Sequence, residues 1–133
     1  MKVIAVIPFV AGKWKETDNY QWTGLHFLEV VLDWTLFKGC KGKLYVETMH
    51  NDEEYGGMIR LAYQQYKALW MPVDGSEIIT KQPHEDVNWA LLESEWFKLP
   101  TYVAGVACLW IQGKADGFKK CRVALATLVI TEE

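Results

Sequence analysis

Apolar side chains return at every second position along much of this chain, and that period constrains the fold more than any other feature. A residue repeat of two puts one set of side chains on each side of an extended ribbon, which is the pattern of a strand rather than a helix. The longest such run extends from Gly24 to Phe37. His26, Leu28, Val30, Leu32, Trp34 and Leu36 share one face, while Phe27, Glu29, Val31, Asp33, Thr35 and Phe37 share the other. The spacing predicts one long strand, apolar on one side and mixed on the other. After Lys38-Gly39-Cys40-Lys41-Gly42 the alternation resumes, with Leu44, Val46 and Thr48 against Tyr45, Glu47 and Met49. Two β-rich runs joined by a glycine-containing loop predict an antiparallel hairpin. Centring the loop on Cys40 sets Leu36 against Leu44 and Trp34 against Val46, apolar against apolar.

The C-terminal third repeats the arrangement. Tyr102 to Gln112 and Lys119 to Thr131 are rich in Val, Ala, Leu and Ile, and Gly113-Lys114-Ala115-Asp116-Gly117 between them has turn chemistry. This predicts a second hairpin, with Cys108 opposite Cys121. At the other end, Lys2 and the apolar run from Val3 to Ala11 have the outline of a signal peptide. Pro8 and the lack of a small-residue cleavage site make a strand the better reading. Between these regions, Ile59, Ala62, Tyr63, Tyr66, Leu69 and Trp70 recur at helical spacing, which favours a short helix over 57–70, although the tyrosines suit a strand as well. Glu77 to Lys81 reads as a brief strand. Residues 87–99 fit helix or strand, and Pro100 ends that element.

With 133 residues, a second independent core would leave both halves marginal, so one domain over residues 1–133 is expected. Half of the residues are hydrophobic, enough for a sizeable core, and the charged 23% are mixed in sign, so a folded chain is expected rather than a disordered one. The expected fold is mainly β: an antiparallel β-sandwich, jelly-roll-like, with the one short helix. A formal charge of −3 argues against nucleic acid as a partner, since phosphate recognition draws on clustered Lys and Arg. Lys38, Lys41 and Lys43 form a local basic spot, best read as solvation of a hairpin tip. No run approaches the roughly 18 apolar residues needed to cross a bilayer, so no membrane partner is expected.

The usual chemical signatures are missing from the sequence. His26, His50 and His84 fall in no HExxH or HxH pattern, and no GxSxG, GxGxxG or GxxxxGK[ST] occurs. Asn51-Asp52-Glu53-Glu54 is acidic but lacks the alternating ligands of a calcium loop. No catalytic residue, cofactor or metal is therefore expected. One enzymatic alternative survives: in the predicted hairpin Asp33 and Glu47 are cross-strand neighbours, as a small glycosidase or a cation-dependent enzyme would need. Three cysteines, an odd number, exclude a complete intramolecular disulfide framework. If opposed on neighbouring strands, Cys108 and Cys121 can bond to each other, leaving Cys40 at an exposed tip as an intermolecular thiol. In a reducing setting all three stay free, the favoured reading.

Seven tryptophans are many for one small domain, and each indole N–H wants a partner. Trp34 and Trp110 lie in apolar strand patterns and read as core. Trp14, Tyr20 and Trp22 stand in the polar segment 13–23, which has no periodicity. Exposed loop aromatics of this kind serve interfaces or sugar-stacking platforms, so these three are the candidate partner-binding residues. An arm packed back on its own domain is the competing reading.

Several pieces together resemble the small β-sandwich accessory proteins of tailed bacteriophage virions. They are Val31-Leu32-Asp33-Trp34-Thr35 before a glycine turn, Gly42-Lys43-Leu44-Tyr45-Val46-Glu47 after it with Asn51-Asp52 following, and Leu99-Pro100 leading into Tyr102 to Ile111. They touch about half the chain, and Tyr55 to Trp70 departs from the pattern as an insertion. The resemblance implies a non-enzymatic virion structural protein, a capsid decoration or tail-associated subunit assembled in the host cytoplasm. Its partners would be capsid or tail proteins and further copies of itself. A carbohydrate-binding module using the loop aromatics, with a glycan as partner, is the alternative.

Overall fold

The structure, a computed structural model, describes residues 2–9, 13–25, 30–51, 53–65, 68–81, 89–101, 103 and 105–132. In chain order the strands are β1 (Val3–Phe9), β2 (Lys15–Thr17), β3 (Thr23–Gly24), β4 (Val30–Asp33), β5 (Lys41–Thr48) and β6 (Gly57–Gln64). They continue with β7 (Met71–Pro72), β8 (Ile78–Ile79), β9 (Ala90–Glu93), β10 (Phe97–Lys98), β11 (Val106–Ala115) and β12 (Cys121–Thr131). Two antiparallel sheets result. Sheet A runs β1-β12-β5-β10, with β2 also on β12 and β9 also on β5. Sheet B runs β3-β11-β6-β7, with β4 also on β11 and β8 also on β6.

The topology follows from nested pairing. β1 pairs with β12, β4 with β11, β5 with β9 and β6 with β8, so the first half of the chain zips antiparallel onto the second half. Successive rungs of this ribbon alternate between sheets A and B. The β5–β12 and β6–β11 pairings then close each sheet. A long antiparallel ribbon wound in this way is a jelly-roll-like β-sandwich.

Alternation supplies the core. Ile7 and Phe9, Leu44 and Val46, and Val123, Ala126, Leu128 and Ile130 point inward from sheet A; Ile59, Leu61 and Tyr63 with Ala107, Leu109 and Ile111 do so from sheet B. The phase of β12 slips where the register shifts between Val123 and Leu125, a bulge that lets Val123 and Ala126 both face inward. Trp34, Leu25, Val73, Phe97 and Leu99 plug the ends and sides between the sheets.

The structure corrects several expectations. No hairpin joins 24–37 to 41–48. Residues 26–29 lie outside the described set, β4 stops at Asp33, and Trp34–Phe37 is a 3-10 helix. Asp33 causes the stop, because its carboxylate accepts the Thr35 N–H as a helix N-cap. Gly39, at φ +74°, then turns the chain into the opposite sheet. The C-terminal runs likewise form no hairpin: β11 belongs to sheet B and β12 to sheet A, joined by an arch across the sandwich edge. Within residues 57–70 the described structure holds no helix; 57–64 is β6, whose inward Ile59, Leu61 and Tyr63 have the period of a strand. Gly57 fits there because β11 approaches so closely, and a Cβ would lie 2.0 Å from the Lys114 carbonyl oxygen. Strands were found where expected at Val3–Phe9 and, shortened, at Ile78–Ile79. The ambiguous 87–99 region holds β9 and β10, residues 82–88 lying outside the described set.

Candidate binding surfaces

The polar segment 13–24 bridges the two sheets. β2 pairs with β12, setting Glu16 beside Arg122, and β3 pairs with β11, setting Gly24 beside Gln112. The loop between them is held by its own short-range bonds: Asn19 N–H to Thr17 Oγ1, Gln21 N–H to Asn19 Oδ1, and Thr23 Oγ1–H to the Gln21 carbonyl. A backbone bond of 2.7 Å from Ala115 N–H to the Asn19 carbonyl ties it to the end of β11.

The three loop aromatics therefore receive different surroundings. Trp14 lies under the Arg122 guanidinium, 3.7 Å from the ring centroid, and the same guanidinium is 4.4 Å from the Tyr55 ring. Glu16 closes the arrangement, 2.6 Å from Arg122 Nη2 and 2.8 Å from Nε. Here an arm packs back on its own domain, with Trp14 still 40% exposed. Trp22 lies on the outer face of sheet B, 4.1 Å from the Arg60 guanidinium and 5.0 Å from Lys114 Nζ. Arg60 also donates from Nε to Gln112 Oε1, and burial lowers its pKa, opposed by the charges of Glu77 and Asp74. Tyr20 stands free at the loop apex, 67% exposed.

Beside Tyr20 a cleft of about 340 Å³ opens between the loop, β6, β8 and β11. Tyr20, Met58, Ile79, Lys114, Ala115 and Asp116 line it, with Gly57. On the other flank of Tyr20 a smaller hollow of about 160 Å³ leads to Phe118, which is fully exposed at the tip of the β11–β12 arch. The sequence reading missed Phe118, Lys114 and Ile79. Phe118 was legible: an aromatic between Gly117 and Lys119 in a polar turn has no strand period to bury it.

Other candidates resolve differently. Asp33 pairs with Val106 in sheet B and Glu47 with Leu125 and Leu91 in sheet A, so the two carboxylates are not neighbours and the acid pair the enzymatic reading needed is not formed. Cys108 faces outward opposite Val31 and Gln64, whereas Cys121 is buried opposite Thr17 at the far end of the strands, so they form no disulfide. Cys40 is not at an exposed tip but half-buried at the entrance to β5, packed against the core, which removes it as a ready intermolecular thiol. Burial pushes the Cys121 thiol up to about 12. Trp34 is fully buried as expected; Trp110 instead lies on the outer face of sheet B, over Gly24 and 4.6 Å from the Trp70 ring. Asn51 spends its Oδ1 on the N–H groups of Glu53, Glu54 and Tyr55, and His50 Nδ1 is 3.2 Å from Thr80 Oγ1. His26, Asp52 and His84 lie outside the described residues.

A second surface covers the outer face of sheet A. The registers place Val6 beside Val129, and Leu125 and Leu91 on either side of Glu47. Val6 is 59% exposed, Leu91 64%, Leu125 43% and Ile4 38%. Polar groups on β5 run through the middle of this face: Lys43, beside Val129, has its Nζ 3.0 Å from Glu93 and over the Tyr45 and Trp96 rings, the hydrogen bond to Glu93 raises its pKa, and Glu47 lies between Leu125 and Leu91. β1, the edge strand of this sheet, is apolar on both faces, with Val3 also exposed. Set against protein-family models and against curated proteins, the chain matches none of them.

Proposed function

We propose that the protein is a non-enzymatic assembly subunit that works by binding further copies of itself and other structural proteins, as a virion component of the capsid-decoration or tail-associated kind. The observation that carries this reading is the outer face of sheet A with its edge. Ile4 and Val6 expose large apolar side chains on β1 beside its outer backbone groups, and Leu125 on β12 and Leu91 on β9 expose more across the same face. An apolar sheet face next to an unprotected edge is a surface that self-associates unless lysines, prolines or bulges blunt it. Pro8 and the register shift near Ala5 blunt β1 only in part.

The jelly-roll-like fold agrees with the virion resemblance of the sequence. It does not choose the function, since jelly rolls also carry lectin and cupin sites. A symmetric dimer through β1 would extend sheet A across two copies and cover Val6 in both. Sedimentation velocity over a range of concentrations tests this. The wild-type chain is expected as a dimer or higher species, and Val6→Lys as a monomer with unchanged circular dichroism. A wild-type monomer at every concentration overturns the proposal.

A further inference from the structure

The cleft beside Tyr20 serves no part of the assembly face, and we infer that it is a binding site for a neutral pyranose, the terminal ring of a glycan. Its position is separate: it belongs to the loop end of the sandwich, between sheet B and the bridging segment, while the assembly face is the outside of sheet A. Its volume of about 340 Å³ falls at the small end of the roughly 300–1,000 Å³ range of ligand pockets, so it suits one sugar ring rather than a large cofactor.

The lining has the two chemistries a pyranose presents. Met58, Ile79 and Ala115 give an apolar floor, and Tyr20 gives an aromatic wall against which the C–H face of a sugar can stack. Lys114, next to last in β11 with its ammonium over Trp22, and Asp116, two residues later, both line the opening, so one basic and one acidic residue border it. Each hydroxyl of a sugar both donates and accepts, so neighbouring hydroxyls can satisfy both groups through charge-assisted bonds. The lining carries one residue of each sign, so it is not built for a simple anion or a simple cation. A neutral polyol needs no excess of either sign.

The site is also pre-arranged. Tyr20 rides on a loop held by the Asn19, Gln21 and Thr23 hydrogen bonds and by Ala115 N–H. Asp116 sits in an arch whose backbone N–H donates to the Gly56 carbonyl and whose carbonyl accepts from Lys119. Little ordering remains to be done when a ligand arrives, which is the condition for a small ligand to bind at all.

Saturation-transfer difference NMR on the full chain tests the inference, with methyl β-glucopyranoside, methyl β-galactopyranoside, methyl N-acetyl-β-glucosaminide and glucuronate as probes at millimolar concentration. Transfer to the ring protons of at least one neutral pyranoside is expected. Tyr20→Phe keeps it, since the ring remains. Tyr20→Ala and Asp116→Asn each weaken it about tenfold, through lost stacking and a lost charge-assisted bond. Circular dichroism of each variant separates lost binding from lost folding. Transfer to no neutral pyranoside, transfer to glucuronate alone, or an undiminished signal from folded Tyr20→Ala overturns the inference.

Discussion

Gly57 and Gly39 show how differently one added carbon can act at two positions that look alike in sequence. At Gly57 the obstacle is backbone: a Cβ would meet the Lys114 carbonyl oxygen at 2.0 Å, and β6 and β11 could accommodate it only by parting. That separation would also strain the bonds that Gly57 exchanges with Thr80, its N–H to Oγ1 and its carbonyl from the Thr80 N–H. At Gly39 nothing lies within 4 Å, and the whole cost is the positive φ of +74°. Gly57→Ala is expected to destabilise by about 3 kcal/mol, the upper part of the overpacking range. Gly39→Ala should cost about 1–2 kcal/mol, the left-handed penalty of an L-residue. Urea denaturation of the two variants beside the wild type gives the order directly, and a larger loss at Gly39 would show that the β6–β11 approach can relax.

Among the elements, the bridging segment is the one whose attachment can be tested by its parts. Arg122 joins it to the sandwich in two ways, stacking between Trp14 and Tyr55 and pairing with Glu16. Two rings cover the guanidinium, whereas Glu16 holds it through a single partly buried ion pair, so the two substitutions should differ. Arg122→Ala is expected to cost about 2 kcal/mol and to shift Trp14 emission to the red, because the stem that covers the ring goes with the charge. Glu16→Gln keeps a hydrogen-bond acceptor and leaves both stacks, and should cost about 0.5–1 kcal/mol with little spectral change. Equal losses would mean that the ion pair, not the stack, holds the arm. None of this was readable from sequence, because Arg122 lies more than a hundred positions from Trp14 and its outward phase in β12 depends on a bulge that no local signal announces. What alternation did reveal was the strands themselves: β1, β5, most of β11 and β12, and the buried partners Leu44 and Val46. Local alternation cannot say which strand pairs with which. The glycine turns at Gly39 and Gly117 looked like hairpin turns yet carry the chain between sheets, since the partner of each strand is supplied by nested long-range pairing. The site shared that fate. Tyr20 was recognisable as a lone aromatic in a polar loop, whereas its companions Lys114 and Ile79 entered only when β11 and β8 were brought beside it.

The same nesting sets the order in which the whole molecule can assemble. Closing a loop costs entropy that grows with its length, and each inner rung of the ribbon shortens the loop that the next must close. Tyr63 and Met71 are the nearest in sequence of the paired positions, followed by Ile59 with Ile78, Val46 with Leu92, Val31 with Cys108, and finally Val6 with Val129. Folding should therefore begin where β7 and β8 pair with β6 and finish with β1 laid along β12, at the millisecond-to-second rates of all-β proteins rich in distant contacts. Ile78 and Phe9 are both buried, one on each end of that sequence. Ile78→Val, at a cost of about 1 kcal/mol, is expected to slow refolding with little change in unfolding, while Phe9→Leu should leave refolding nearly untouched and speed unfolding. Stopped-flow chevrons in urea measure both limbs. Were Phe9→Leu to slow refolding as much as Ile78→Val does, β1 would already be docked in the transition state, and the edge through which copies are proposed to meet would be in place before the rest of the fold was complete.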